Sequence, residues 1–276
     1  MGILAIDVGN TNTVLGVFEG SRLVRSWRVR TDSRTTSDEM ALQFDGLLGS
    51  QWRPTGIAAL STVPAVLREM RVMLGRLYAG VPTVVVEPGV RTGVPLVVDN
   101  PKEVGPDRVV NTLAAHYLYG GPVVVVDFGT STNLDVVSAS GEFLGGALAP
   151  GIEISVDALA ARAAALRKVE LVRPRSVVGR NTVEALQSGI IFGFAGQVDG
   201  LVRRIVRELG PDTRVIATGG LAGVVIAESE TIEAYEPHLT LIGLRLVYLR
   251  NHPEQEEVDG DHVASDPDPD PGAVFG

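Results

Sequence analysis

The chain has 276 residues, 45% of them apolar, and a formal net charge of −9. That is enough apolar material for a buried core and too much for a disordered chain, while the acidic balance argues against non-specific nucleic-acid binding. Cysteine is absent, which excludes disulfides, thiolate zinc sites and cysteine nucleophiles together.

The opening Met1-Gly2-Ile3-Leu4-Ala5-Ile6 has no basic stretch, and Asp7 interrupts its apolar run. No cleaved leader is expected, and no apolar run approaches the ~18 residues of a membrane span, so a cytoplasmic protein is expected. Ile3 to Ile6 reads as a strand that enters Asp7-Val8-Gly9-Asn10-Thr11-Asn12-Thr13. A second strand, Val14 to Phe18, a turn at Gly20 and a third strand, Leu23 to Val29, complete a hairpin pattern. Thr36-Ser37-Asp38 then precedes a helix over Glu39 to Leu48, and Asp107 to Tyr117 reads as another.

Val123 to Val126 repeats the opening theme, entering Asp127-Phe128-Gly129-Thr130-Ser131-Thr132. A strand over Leu134 to Val137, a turn at Gly141 and a strand over Glu142 to Leu148 follow in the same order. An alanine-rich helix is expected over Asp157 to Val169, with Leu159, Ala163 and Leu166 on one face. Asn181-Thr182-Val183-Glu184 has capping-box form and opens a helix. Gly189 to Gly196 reads as buried helix on which Gly189, Gly193 and Gly196 permit close packing, and a second helix or a continuation runs over Val198 to Leu209. A strand at Arg214 to Ala217 leads into Thr218-Gly219-Gly220.

The repeat predicts two similar α/β domains facing one another, over residues 1–118 and 119–251. An acidic, Asp-Pro-rich segment at 252–276 is expected to be disordered.

Asp-x-Gly at the mouth of a strand carries specific chemistry. Glycine lets successive backbone N–H groups converge on an anion. Asn10, Thr11 and Thr13 add neutral donors, and Asp7 makes sense if Mg2+ stands between its carboxylate and phosphates. A second such loop at Asp127 to Thr132 lets two hairpins grip one nucleotide. Rival sites fail: Lys102 and Lys168 are the only lysines and neither follows a glycine, so no Walker loop exists. Asp127-Phe128-Gly129 spells the protein-kinase metal motif without its partner motifs, and no Gly-x-Ser-x-Gly elbow occurs. His116, His238, His252 and His262 show no metal-ligand spacing. The glycines of Thr218-Gly219-Gly220 let a flat ring or a ribose lie close to backbone.

In order along the chain, Asp7 to Thr13, Asp99-Asn100-Pro101, Gly105-Pro106-Asp107-Arg108, Asp127-Phe128-Gly129-Thr130, Gly145-Gly146 with Ala149-Pro150-Gly151, Asn181 to Glu184 and Thr218-Gly219-Gly220 resemble the motifs of type III pantothenate kinases. The resemblance spans about residues 3–250. It implies an actin-like, ribonuclease H-like fold of two α/β domains with mixed sheets and a nucleotide cleft between them. It also implies ATP-dependent phosphorylation of pantothenate to 4'-phosphopantothenate, the first step toward coenzyme A. By the same resemblance Asp7, Val8, Gly9, Asn10, Thr11, Asn12, Thr13, Val14, Thr130, Gly219 and Gly220 bind ATP. Gly105, Pro106, Asp107, Arg108 and Thr182 bind pantothenate, with Asp107 as proton acceptor and Arg108 forking the substrate carboxylate. Asp127 holds a monovalent cation, potassium or ammonium, beside the Mg2+ at Asp7, and the protein is a homodimer.

Val98, Pro106 and Asn133 depart from the common family residues. Another small-molecule kinase or phosphatase of this fold, or a non-catalytic nucleotide-binding relative, are the alternatives.

Overall fold

The computed structural model describes residues 2–162 and 169–255. It contains two five-stranded mixed sheets of the same topology. The first comprises β1 (Gly2–Val8), β2 (Asn12–Glu19), β3 (Arg22–Arg30), β4 (Gly56–Ser61) and β5 (Thr83–Val85), in the order β3-β2-β1-β4-β5. The second comprises β6 (Val123–Phe128), β7 (Ser131–Val137), β8 (Phe143–Pro150), β9 (Arg214–Thr218) and β10 (Ala234–Tyr235), in the order β10-β9-β6-β7-β8. In each, an antiparallel meander is extended by parallel strands on the far side of its first strand. The sequence repeat is therefore a repeat of topology.

Helices form the layers. α1 (Ser37–Leu48) and α2 (Pro64–Leu77) cover one face of the first sheet, where Leu4, Ile6 and Val8 meet Met40, Phe44 and Met70. Thr36 caps α1 in a full capping box with Glu39, so this helix starts two residues before the position read from the sequence. α3 (Pro106–Tyr119) and α7 (Leu239–Asn251) cover the other face, where Ile3 and Ala5 meet Val110, Leu244 and the fully buried Tyr248. The two helices approach closely: a Cβ on Gly243 would stand 2.1 Å from the Val110 carbonyl oxygen. α3 also packs on the second sheet, where Ala114 and Ala115 join Val123, Val125 and Ile216. α4 (Ile152–Arg162), α5 (Thr182–Leu209) and α6 (Ala222–Val225) cover that sheet's outer face.

Strand alternation now locates the two motif carboxylates. Ile3 and Ala5 face the α3/α7 layer, and Asp7 has the same parity; Val123, Val125 and Asp127 repeat the relationship from the second sheet. Both aspartates therefore point into the space between the sheets.

Some expectations are revised. The alanine-rich helix begins at Ile152, before the position read from the sequence, and Ala163 and Leu166 lie outside the described residues. α5 is a single 28-residue helix, capped by Asn181, whose side chain accepts from the Glu184 amide. Gly189, Gly193 and Gly196 are exposed on it, and a Cβ at any of them meets nothing within 4 Å, so close packing within the chain does not require these glycines. The segment 256–276 lies outside the described residues. Among those described, no helix is long and apolar enough to cross a membrane.

Candidate active site

The two hairpin turns meet at the mouth of a cleft of about 370 Å³ between the sheets. In the first, β1 pairs with β2 up to Val8 and Thr13, and the Gly9 amide donates to the Asn12 carbonyl at 3.0 Å. In the second, β6 pairs with β7 up to Phe128 and Thr132, and the Gly129 amide donates to the Ser131 carbonyl at 3.0 Å. The hydroxyls of Thr11 and Thr130 stand 3.2 Å apart, so the turns touch across the cleft.

Asp7, Gly9, Asn10, Thr11, Asn12, Val14, Asp107, Asp127, Thr130, Gly219 and Gly220 all line this cleft. Val8 and Thr13 do not. Val8 is buried in the first core, and Thr13 braces β2 against the next strand through the Thr31 hydroxyl at 2.9 Å. Gly219 needs its glycine: its φ is +94°, and a Cβ would fall 2.6 Å from the Phe128 carbonyl oxygen. The Tyr235 hydroxyl donates to its carbonyl at 3.1 Å.

Asp107 sits in the first turn of α3, after Gly105 as N-cap and Pro106 at the first helical position. Burial raises its pKa, opposed by hydrogen bonds from the Arg108 amide and its own and by the Arg108 charge. Asp7 is pushed up to about 7 by burial and the Asp107 charge, with Arg28 opposing. Asp127 is pushed to about 7 by burial and by the charges of Asp107, Asp135 and Asp7. Carboxylates held this close are short of positive charge, which is the condition that favours a bound cation.

One buried acceptor supports that inference. Asn133 Oδ1, next to the second turn, has no hydrogen-bond partner. Asn133 pairs with Asp127 across β6 and β7 and lines the cleft. Among the described residues, no group of three or more histidines, cysteines or carboxylates could hold a metal by itself. A divalent ion here would need phosphate oxygens to complete its shell, as Mg2+ commonly does.

Gly105, Pro106, Arg108 and Thr182 do not line the cleft. Arg108 has a partner that the sequence did not disclose. Its Nε and Nη2 donate to Asp135 Oδ1 at 2.7 and 2.6 Å, with its guanidinium 4.9 Å above the Phe143 ring. One edge of the guanidinium is thus committed within the chain. Thr182 is exposed at the start of α5.

Arg28, Thr62, Glu153 and Thr240 also line the cleft and went unnoticed in the sequence, and so does His238, which was considered there only as a metal ligand. Arg28 is one of several arginines on β3, and only its pairing opposite Val14 sets it apart.

Comparison with known proteins follows the same lines. The sequence model of the type III pantothenate kinases matches residues 3–204. A type III pantothenate kinase of Saccharopolyspora erythraea is 70% identical over 261 residues, covering 90% of this chain and 98% of that protein. One of Frankia casuarinae is 68% identical over 249 residues, covering 90% and 99%. Among solved structures, the activator of 2-hydroxyisocaproyl-CoA dehydratase from Clostridium difficile, with bound ADPNP, superposes with a TM-score of 0.54. It is 13% identical and covers 96% of this chain and 100% of its own, a likeness of fold alone.

Proposed function

Since the chain belongs to the type III pantothenate kinase family and is an ATP-dependent pantothenate kinase acting at the first step of coenzyme A synthesis, we propose how its own residues share that work. The observation that carries the reading is the convergence of the two turns at Thr11 and Thr130 above the half-buried carboxylates.

Phosphoryl transfer asks a protein mainly for positioning and charge neutralisation. The turn residues Gly9 to Asn12 and Thr130 supply amide and hydroxyl donors to the phosphates, and Gly219 and Gly220 border the nucleoside. Asp107 takes the proton of the pantothenate hydroxyl as that oxygen attacks the terminal phosphorus and ADP leaves. Its raised pKa makes it a better proton acceptor than a solvated carboxylate. Asp7 would hold Mg2+, which would supply positive charge to the transferring group. Asp127 would hold a monovalent cation, and the unpartnered Asn133 Oδ1 could serve as a second oxygen donor. The free end of the Arg108 guanidinium meets the pantothenate carboxylate.

The protein acts as a cytoplasmic homodimer in this proposal. Exposed apolar side chains, among them Leu148, Ile154, Val177, Val178 and Val183, support the dimer. Thr182 begins that helix, outside its own chain's cleft, so its contact with pantothenate would be made in the second copy.

A coupled ADP-release assay with ATP, Mg2+ and potassium, with and without pantothenate, tests the assignment. Wild type should turn over only with pantothenate, and Asp107→Asn should lose about 10²-fold or more. Full activity in that variant would remove Asp107 from its role.

A further inference from the structure

The lining of the cleft is electrically lopsided. Asp7, Asp107, Asp127 and Glu153 contribute carboxylates, and Arg28 is the one lysine or arginine among the described residues that line it. Burial lowers the pKa of the neighbouring His238, which favours its neutral form. A polyphosphate entering this space meets neutral amides and hydroxyls from the turns, but from the side chains a single full positive charge.

Arg28 is built to reach it. It stands on β3 opposite Val14, itself a lining residue, so the strand register turns it toward the cleft. Its guanidinium extends to the turn after β9: a Cβ on Gly220 would lie 2.5 Å from Nη1 and 3.8 Å from Nη2. The side chain therefore spans from the first sheet to the nucleotide-binding turn of the second. Its charge is also felt at Asp7, at the end of the first strand, and at Tyr235. Unlike Arg108, Arg173, Arg175 and Arg214, it has no hydrogen bond or ion pair with any described residue. An unpaired guanidinium fork matches phosphate geometry.

We propose that Arg28 binds the polyphosphate of the nucleotide, bridging the two halves of the cleft as the cationic counterpart that a Walker lysine supplies elsewhere. The proposal rests on the cleft being the ATP site.

The test is equilibrium binding of ATP, ADP and adenosine, each with Mg2+, to the full-length wild type, Arg28→Gln and Arg28→Lys. Arg28→Gln should bind ATP and ADP about 10-fold or more weakly, with adenosine affinity unchanged and Arg28→Lys intermediate. Thermal melting should change little, because no hydrogen bond or ion pair with a described residue is lost. The KM for pantothenate should stay within about twofold. Unaltered ATP affinity in Arg28→Gln overturns the proposal, and so does an equal loss for adenosine, which would put the guanidinium on the ring instead. If the wild type itself fails to bind ATP, the assignment of the cleft falls, and Arg28 with it. Either failure confined to the variant leaves wild-type turnover, and hence the assignment, standing.

Discussion

Arg108 Nη2 lies 2.6 Å from Oδ1 of Asp135, and the Asp135 side chain is only 1% exposed. The pair joins the first turn of α3 to the middle of β7, linking the proposed base to the second sheet. Asp135 Oδ2 is buried without a partner, and burial pushes this carboxyl up to about 6 despite the Arg108 charge. Removing one member of such a pair leaves the other uncompensated, so Asp135→Ala should cost about 3–5 kcal/mol. Asp135→Asn keeps the shape and should fold. It should raise the KM for pantothenate several-fold with little change in the KM for ATP, because Arg108 loses its fixed orientation. An unchanged pantothenate KM in Asp135→Asn would falsify that positioning role.

The carboxylates of the cleft also set a pH dependence. Asp7 and Asp127 have folded pKa values raised from 3.8 to about 7. The folded protein therefore binds more protons than the unfolded chain between about pH 4 and 7. Burial costs little while these carboxyls are protonated, below the unfolded pKa, and the stability lost to it grows as pH rises from the unfolded toward the folded value. In ligand-free protein, Asp7→Asn and Asp127→Asn should each raise stability at pH 8 by about 1–2 kcal/mol, allowing for solvent screening at half-buried groups. At pH 4 they should change it little. Urea unfolding at the two pH values checks this, and stabilisation of equal size at both would contradict it.

Adjacent glycines in the turn after β9 should differ sharply. Gly219→Ala forces a side chain onto a left-handed backbone and into the Phe128 carbonyl, and should cost about 1–3 kcal/mol along with ATP affinity. Gly220→Ala meets only the end of the Arg28 side chain. It should leave the melting temperature nearly unchanged while weakening ATP binding by displacing that guanidinium. Similar melting of the two variants would show that the turn tolerates a Cβ at both positions.

The exposed glycine stripe of α5 makes a separate prediction. Gly193→Gln adds a long side chain at a position where a Cβ meets nothing within 4 Å among the described residues. Monomer stability should hold or improve slightly, since glycine is a poor helix former, yet the proposed dimer should dissociate. Sedimentation velocity at micromolar concentration distinguishes the outcomes; a dimer of undiminished affinity would place the interface elsewhere.

Much of this protein is written in short-range pattern. Apolar runs ending in Asp-x-Gly are enough to define β1 and β6, because strand alternation and glycine turns depend on residues within a few positions of each other. The start of α5 was legible for the same reason, through the cap at Asn181, whereas α1 begins two residues before the position read from the sequence. Parity along β1 and β6 even determines that Asp7 and Asp127 leave their sheets on the faces that carry Ile3, Ala5, Val123 and Val125. What the pattern could not say is which faces meet. β4, α2 and α7 carried no motif to mark them, and α7 returns from the end of the chain to cover the first sheet. Only that packing places Asp107 in the cleft, gives Arg108 to Asp135, and aims one arginine of β3 at the turn after β9. These are contacts between residues far apart in sequence, selected by register and by the crossing of α3 and α7, and local propensity holds no record of them.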